Sequence, residues 1–156
     1  MKRAIVTGGS GYFGSLLCKL LVENGWEVKN IDINPPNYDL KNYTFIKGDI
    51  NDLSKIEESF IDIDSIFHNV ALVPITKSKN YKKTNLYGTK NTIELAVKNK
   101  IKSFIYTSSS AIYGVPKHNP VSEHEIPSPA ETYGQSKLDA EFLLSTYSSD
   151  INISII

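Results

Sequence analysis

A tyrosine and a lysine four residues apart have the side chains needed for a proton-transfer site. Within residues 133–137, YGQSK, helical geometry would bring Tyr133 and Lys137 to one face. A neighbouring ammonium stabilises a phenolate over a phenol, which suits the tyrosine to act as an acid or base. The serines at 108–110 end an apolar run, where a hydroxyl could hold a substrate oxygen. Each feature alone is typical of a solvated surface, so only their joint occurrence indicates a site.

A glycine-rich turn, TGGSGYFG at residues 7–14, lies between an apolar run and a helical pattern. Gly8 permits a tight turn, Gly11 lets the backbone approach a pyrophosphate, and Gly14 lets the helix pack closely on the strand. The N–H groups at the start of the helix would receive the anion. Glycine patterns also occur in ordinary turns, so the position between strand and helix is what favours phosphate binding.

An acidic residue, Asp32, follows 24 residues after Gly8 at the end of the second apolar run. A carboxylate there can accept hydrogen bonds from both hydroxyls of an adenosine ribose, which predicts NAD as the cofactor. A 2′-phosphate would meet like charge, and Arg3 is the only arginine in the chain, so NADP is disfavoured. The alternative is that Asp32 is only a turn residue ahead of Pro35 and Pro36.

Strands and helices alternate along the predicted chain. Apolar or β-branched runs predict strands at 3–7, 26–31, 43–47, 65–70, 103–108 and 151–156. Helical spacing predicts helices at 13–21, 81–99 and 132–147. A short helix is expected near 53–60, where Ser54 and Glu57 match a capping box. This order predicts one α/β domain with a doubly wound parallel sheet.

Composition excludes several classes of protein. The chain has 156 residues, enough for one domain, with 40% apolar and 22% charged residues. Seventeen basic residues balance 17 acidic ones, and no apolar stretch approaches 18 residues, so we expect no nucleic-acid or membrane partner. The single cysteine, Cys18, fits a reducing cytosol and a packed helix position. The spacing of His68, His118 and His124 predicts no metal site.

Taken together, the motifs resemble an extended short-chain dehydrogenase/reductase of the NAD-dependent epimerase/dehydratase branch, over essentially the whole chain. The matching segments are 7–14, the strand end at Asp32, 48–50, 68–71, Asn85 with 88–89, 106–114 and 133–137. The resemblance implies a Rossmann fold and a homodimer formed by the helices at 81–99 and 132–147. It also implies that the substrate is a nucleotide-linked sugar.

The resemblance assigns roles to particular residues. Tyr133 would be the catalytic acid and base, Lys137 would bind the nicotinamide ribose, and Ser109, four residues before Tyr113, would steady the substrate oxygen. Asp49 and Ile50 would flank the adenine. The implied cofactor-binding residues are Gly8, Gly11, Tyr12, Phe13, Gly14, Asp32, Asp49, Ile50, Val70, Ala71, Asn85, Tyr133 and Lys137.

Two departures from the family pattern leave alternatives open. Family members are longer, so we expect residues 1–156 to be the NAD-binding domain with the catalytic residues, truncated before a substrate-binding region. An NAD-binding module without turnover is then an alternative. The loop after the fourth strand is short and carries Lys77, Lys79, Lys82 and Lys83, which fit solvated surface better than a diphosphate site. A reductase or dehydrogenase of a sterol-like or flavonoid-like substrate therefore also stays open.

Overall fold

Six parallel strands form a single sheet in a computed structural model that describes residues 1–75 and 80–156. The strands are β1 (Arg3–Thr7), β2 (Glu27–Asp32), β3 (Tyr43–Lys47), β4 (Ser65–His68), β5 (Ser103–Tyr106) and β6 (Asn152–Ile155). Their spatial order is β3-β2-β1-β4-β5-β6. This is the order of a doubly wound Rossmann sheet, so the predicted fold class is confirmed.

The chain changes direction across the sheet at β1. This strand pairs with β2 on one side and with β4 on the other, so Thr7 lies opposite both Ile31 and His68. The connection from β3 returns past β1 to begin β4. In open parallel sheets, ligands bind outside the carboxyl ends of the strands at such a switch point. The loops that follow β1 and β4 therefore frame the expected crevice.

Helices cover both faces of the sheet. The helices are α1 (Tyr12–Glu23), α2 (Thr89–Lys98) and α3 (Thr132–Ser145). Because alternate strand residues point to opposite faces, Ala4 and Val6 pack with Cys18 of α1, while Ile5 joins the cluster built by α2 and α3. Cys18 is fully buried, so its predicted packing role is confirmed. Within the described residues, no helix has both the length and the apolarity needed to cross a bilayer.

The segment predicted as one helix at 81–99 has two parts. A π-helical stretch, Lys82–Gly88, leads into α2. The Thr89 hydroxyl donates to the Asn85 carbonyl oxygen at 2.7 Å, and the Thr92 hydroxyl donates to the Gly88 carbonyl oxygen at 2.8 Å. Side-chain bonds of this kind compete with the regular helical ladder. They accompany the wider turn at the junction, which lies against the crevice.

The predicted capping box is wrong. Two short 3-10 helices, Leu53–Lys55 and Glu57–Phe60, replace the expected α-helix, and neither has a side-chain cap. The Ser54 hydroxyl donates to the Asp52 carboxylate at 2.7 Å. The Glu57 carboxylate pairs with the Lys98 ammonium of α2. A tertiary ion pair therefore holds the carboxylate that the local pattern assigned to a backbone N–H.

Candidate functional site

The glycine-rich turn joins β1 to α1 at the switch point. Gly8 has a φ of 72°, in the left-handed region that favours glycine, and its N–H donates to the Ile31 carbonyl oxygen at 2.9 Å. The Gly11 N–H donates to the Gly8 carbonyl oxygen at 3.1 Å and closes the turn. A Cβ at Gly14 would collide with that same carbonyl oxygen. The turn therefore depends on Gly8 for its conformation and on Gly14 for its close packing.

The first turn of α1 offers backbone N–H groups to a ligand. Gly11 is the N-cap and supplies no side-chain hydrogen bond. The early N–H groups of a helix have no partner within the helix, and they favour an anion. Tyr12 and Phe13 hold their side chains outward, 88% and 50% exposed. Their predicted part in cofactor binding would thus come from the backbone of this turn.

A cleft of about 370 Å³ opens beside the turn. It is lined by residues from the ends of β1, β2, β3 and β4, with one from the π-helical stretch. These residues are Gly8, Gly11, Ile31, Asp32, Ile33, Asn34, Gly48, Asp49, Ile50, Asn69, Val70, Ala71, Leu72 and Thr84. Seven of the predicted cofactor residues are among them: Gly8, Gly11, Asp32, Asp49, Ile50, Val70 and Ala71. The structure therefore gathers residues far apart in sequence at one crevice.

Asp32 serves the turn and also faces the cleft. Its carboxylate accepts hydrogen bonds from the Ser10 N–H at 3.1 Å and from the Asn34 N–H at 3.0 Å. A carboxylate has about four acceptor positions. The side chain is half-buried and lines the cleft, so acceptor capacity remains towards a ligand. The turn and ligand interpretations of Asp32 are therefore compatible.

Asp49 and Ile50 form a second wall of the cleft. The Asp49 carboxylate accepts from the Asn51 backbone N–H at 2.9 Å, which holds the chain after β3 in a turn. Ile50 is 3% exposed and belongs to the core cluster. An apolar side chain fixed by the core presents a flat surface suited to an adenine ring.

Asn85 holds the loop after β4, whose residue Leu72 lines the cleft. It is 1% exposed, and its amide donates to the Leu72 carbonyl oxygen at 3.1 Å and to the Ser136 hydroxyl at 3.0 Å. Its carbonyl accepts from the Leu72 N–H at 2.8 Å. Asn85 therefore joins the loop after β4 to α3, and a direct contact with a cofactor stays a prediction.

Lys137 is buried in the interior of the site. It is 2% exposed, its ammonium donates to the Thr107 carbonyl oxygen at 2.6 Å, and it lies 4.0 Å from the centre of the Tyr106 ring. Burial lowers the pKa of Lys137 to about 8, and the nearby charge of Glu141 opposes part of this fall. The lysine is thus mainly a cation at neutral pH, held by a carbonyl and an aromatic face.

Tyr133 and Ser109 belong to the two segments that the Lys137 hydrogen bond joins, α3 and the chain after β5. Tyr133 is the half-buried second residue of α3, one turn before Lys137, and its ring meets the Tyr81 ring edge to face with centres 5.8 Å apart. Ser109 follows two residues after Thr107, and its hydroxyl accepts from the Ala111 N–H at 3.2 Å. A cavity of about 680 Å³ opens beside Ser109. Their catalytic roles stay predictions.

Sequence reasoning missed the residues that connect the strand ends. The Thr107 hydroxyl donates to the Asn69 amide oxygen at 2.6 Å, and Asn69 lines the cleft. Thr107 thereby connects the cleft to Lys137. Both Asn69 and Thr107 lie in segments that carry the family resemblance, but nothing in their spacing indicates that they touch.

A second missed feature lies beneath the glycine-rich turn. The Tyr38 hydroxyl donates to the Gly9 carbonyl oxygen at 2.8 Å and accepts from the Tyr43 hydroxyl at 3.2 Å. Asn30 donates to Tyr43 at 2.7 Å and to Ser10 at 3.0 Å. These two tyrosines, to which the motifs gave no role, therefore support the turn through hydrogen bonds. Within residues 1–75 and 80–156, no group of three or more acidic, histidine or cysteine side chains is arranged to hold a metal ion.

The sequence of the chain matches one family model and several curated relatives. The model of the NAD dependent epimerase/dehydratase family matches residues 4–156. An uncharacterized protein of Sinorhizobium fredii is 46% identical over 144 residues, covering 92% of this chain and 36% of the relative. A 3β-hydroxysteroid dehydrogenase/Δ5→4-isomerase of Monkeypox virus is 36% identical, covering 89% of this chain and 44% of the relative. A UDP-glucose 4-epimerase of Bacillus subtilis is 31% identical, covering 90% and 46%.

Solved structures agree with these relatives. UDP-glucose 4-epimerase from Brucella ovis in complex with NAD matches with a TM-score of 0.89 and 27% identity, covering 99% of this chain and 50% of that one. MoeE5 in complex with UDP-glucuronic acid and NAD matches with a TM-score of 0.88 and 30% identity, covering 98% and 52%. The chain thus spans between about a third and a half of the length of each of these five proteins. The fold, the family match over residues 4–156 and these relatives agree with one another, and the chain belongs to the NAD-dependent epimerase/dehydratase family, whose cofactor is NAD.

Proposed function

We propose that residues 1–156 form an NAD-binding domain carrying the proton-transfer residues of an epimerase or dehydratase that acts on a nucleotide-linked sugar. The observation that carries the proposal is the shared sheet edge: the turn at Gly8, the Asp32 carboxylate and the Lys137 ammonium all lie at the carboxyl ends of the strands. When bound, NAD supplies a hydride acceptor and donor for a substrate carbon.

The cleft suits the adenosine half of the dinucleotide. The Gly11 to Gly14 turn offers N–H groups to the pyrophosphate, and Gly11 has no side chain to block its approach. A Cβ at Gly11 would have only the Gly8 carbonyl oxygen as a neighbour, at 3.3 Å. Asp32 accepts from the ribose hydroxyls, and Ile50 packs against the adenine.

The proposed proton-transfer residues come from the end of β5 and the start of α3, which the Thr107 hydroxyl connects to the cleft through Asn69. Tyr133 takes the proton from a substrate hydroxyl, and Ser109 donates a hydrogen bond to the same oxygen. Lys137 stabilises by its charge the phenolate form in which Tyr133 accepts this proton. Because burial lowers the pKa of Lys137 to about 8, this charge is present at neutral pH and fades in alkaline solution.

A titration of the chain with NADH and NADPH tests cofactor binding. Asp32→Asn keeps an acceptor for the Ser10 N–H but removes the charge, so we expect weaker NADH binding and a smaller preference over NADPH. Asp39→Asn is the matched control, because Asp39 is exposed and does not line the cleft. An unchanged preference in Asp32→Asn, or no binding to either nucleotide, would contradict the proposal.

Turnover is tested with UDP-glucose and bound NAD, followed by NADH absorbance and by the sugar products. Tyr133→Phe should abolish conversion while NADH affinity stays within about twofold, since the phenol hydroxyl acts in the chemical step. Retention of full activity by Tyr133→Phe would refute the assigned role. NADH binding without any conversion would instead support the alternative of a binding module.

A hydroxysteroid is the second candidate substrate. The cavity beside Ser109 is lined by apolar side chains, including Ile112, Val121 and Ile155, and by the carboxylates of Glu123 and Glu141. Apolar walls with carboxylates favour a neutral hydroxyl-bearing ring system over a diphosphate. A 3β-hydroxysteroid assayed with NAD beside UDP-glucose distinguishes the two, because only the true substrate reduces NAD in a Tyr133-dependent manner.

We also propose a homodimer whose interface is formed by residues 81–99, which contain α2, and residues 132–147, which contain α3. Two large apolar side chains on this part of the chain are exposed, Tyr87 at 50% and Phe142 at 62%. A second copy would remove them from water. Sedimentation at micromolar concentration tests this, and a monomeric mass would contradict it.

A further inference from the structure

Glu141 lies one helical turn beyond Lys137, on the same face of α3. We propose that Glu141 is a positioning residue, which keeps Lys137 charged and fixes the strand end that carries Ser109. This inference rests on the proposed function, because it concerns the same proton-transfer site. Neither the motif nor its spacing assigned a role to Glu141.

The carboxylate holds the chain just after β5. The Ser108 hydroxyl donates a hydrogen bond to a Glu141 carboxylate oxygen. The Ser108 backbone N–H donates to the Ile156 carbonyl oxygen at 2.7 Å. Ser108 lies between Thr107, which accepts from Lys137, and Ser109, which faces the cavity. The Glu141 carboxylate therefore holds Ser108, the residue that joins Thr107 to Ser109.

Within residues 1–75 and 80–156, ionisable groups of β4, β5 and α3 lie near Lys137. Tyr106 of β5 presents its ring, and burial raises its pKa, so it stays neutral. His68 of β4 is fully buried, and burial lowers its pKa to about 3, so it is neutral as well. Tyr133 and Glu141 share α3 with the lysine. Among the described groups that act on Lys137, Glu141 is the one carboxylate.

The lysine needs this carboxylate because its burial disfavours the charged form. Desolvation lowers the pKa of Lys137, and Glu141 acts in the opposite direction. The resulting value of about 8 keeps the ammonium protonated at neutral pH. Without the carboxylate, part of the Lys137 side chains would be uncharged at neutral pH, where the proposed proton transfer by Tyr133 needs the positive charge.

A titration of the whole chain labelled with ¹³C-lysine tests the proposal by NMR. The Lys137 signal is assigned by its absence in Lys137→Met. Glu141→Gln retains an oxygen that accepts from Ser108 but removes the charge, so the Lys137 midpoint should fall by about one pH unit. Glu123→Gln is the matched control, since Glu123 lines the same cavity, and it should leave the midpoint unchanged.

A second variant covers the case in which Glu141→Gln fails to fold. Ser108→Ala releases the carboxylate towards solvent and should lower the Lys137 midpoint by a smaller amount. An unchanged midpoint in folded Glu141→Gln, or in Ser108→Ala if the first does not fold, overturns the proposal, as does an equal shift in Glu123→Gln. The titration needs no cofactor, so its outcome is separate from that of the NADH titration with Asp32→Asn.

Discussion

The Lys137 ammonium donates a hydrogen bond to the Thr107 carbonyl oxygen over 2.6 Å and so ties α3 to the end of β5. The Thr107 hydroxyl in turn donates to Asn69, which follows β4 and lines the cleft. An ammonium has three donors, and the carbonyl takes one of them. Two donors remain, which matches what the proposed function requires of Lys137: one for the Tyr133 phenolate and one for a ribose hydroxyl.

The buried charge of Lys137 predicts a stability that depends on pH. Its pKa lies near 8 in the folded chain and near 10.5 when unfolded. Between these values the unfolded chain binds a proton that the folded chain has released, so the free energy of unfolding rises with pH. From pH 7 to pH 10 we expect this group to add about 2 kcal/mol.

Urea unfolding of the chain and of Lys137→Met at both pH values measures this contribution. The rise in unfolding free energy from pH 7 to pH 10 should be present in the unchanged chain and absent in Lys137→Met. Lys90→Met is the control, because Lys90 is an exposed lysine of α2. An equal pH dependence in the unchanged chain and Lys137→Met would show that the lysine is solvated.

Acid should destabilise the fold through His68. The imidazole is fully buried between the hydroxyls of Thr7, at 2.9 Å, and Thr89, at 3.0 Å, and its pKa falls from 6.5 to about 3. The contribution of the neutral ring is fully present above 6.5 and is lost as the pH falls towards 3, because the unfolded chain gains the proton. At pH 4 the loss should be about 3 kcal/mol.

Denaturant unfolding at pH 7 and pH 4 compares the chain with His68→Gln and with His124→Gln, a change at an exposed histidine. His68→Gln should be less stable than the unchanged chain at pH 7, but its unfolding free energy should fall less between pH 7 and pH 4. His124→Gln should follow the unchanged chain. A loss on acidification as large in His68→Gln would assign the acid sensitivity to other groups.

Local patterns predicted the parts of the fold that local chemistry decides. Alternating strand and helix periods predicted a doubly wound parallel sheet, and the glycine spacing predicted the turn whose conformation and packing require Gly8 and Gly14. The capping box failed because Glu57 binds Lys98, a partner 41 residues away. The π-helical stretch was missed because apolar spacing does not reveal the bonds that the Thr89 and Thr92 hydroxyls of the adjoining α2 donate to backbone carbonyl oxygens.

At the candidate site too, local spacing predicted some residues, whereas contacts between distant parts of the chain could not be predicted. Tyr133 and Lys137 could be paired from their spacing on a helix, and Asp32 from its position after the second strand. The hydrogen bonds of Thr107 with Lys137 and of Ser108 with Glu141 could not be found in this way, because they join residues that are distant in sequence. The burial that shifts the pKa of Lys137 likewise arises only from tertiary packing.

Tyr38 should stabilise the glycine-rich turn through its hydroxyl. Tyr38→Phe removes the donor to the Gly9 carbonyl oxygen and leaves the Tyr43 hydroxyl without its acceptor. Leaving partly buried polar groups unpaired should cost about 1 to 3 kcal/mol of unfolding free energy. Tyr12→Phe, at a side chain 88% exposed, should cost nothing measurable in the same urea titration. Equal stability of the two variants would show that water replaces the Tyr38 hydroxyl.

Three glycine substitutions separate the architecture of the turn from its function. A Cβ at Gly14 would meet backbone atoms of Gly8 and Gly9, so Gly14→Ala should lower both stability and NADH affinity. Gly11 has a φ of −75°, which alanine adopts, and its single close neighbour lies at 3.3 Å. Gly11→Ala should therefore fold normally but bind NADH at least about tenfold more weakly, because the methyl group occupies the approach of the pyrophosphate.

Gly25→Asn is the control for these substitutions. Gly25 has a φ of 79° with open space around it, and asparagine tolerates that conformation better than other residues. Its stability and NADH affinity should both stay close to those of the unchanged chain. Thermal unfolding and calorimetric titration of the three variants measure both properties. If Gly11→Ala bound NADH as tightly as Gly25→Asn does, the pyrophosphate would have to bind elsewhere than on this turn.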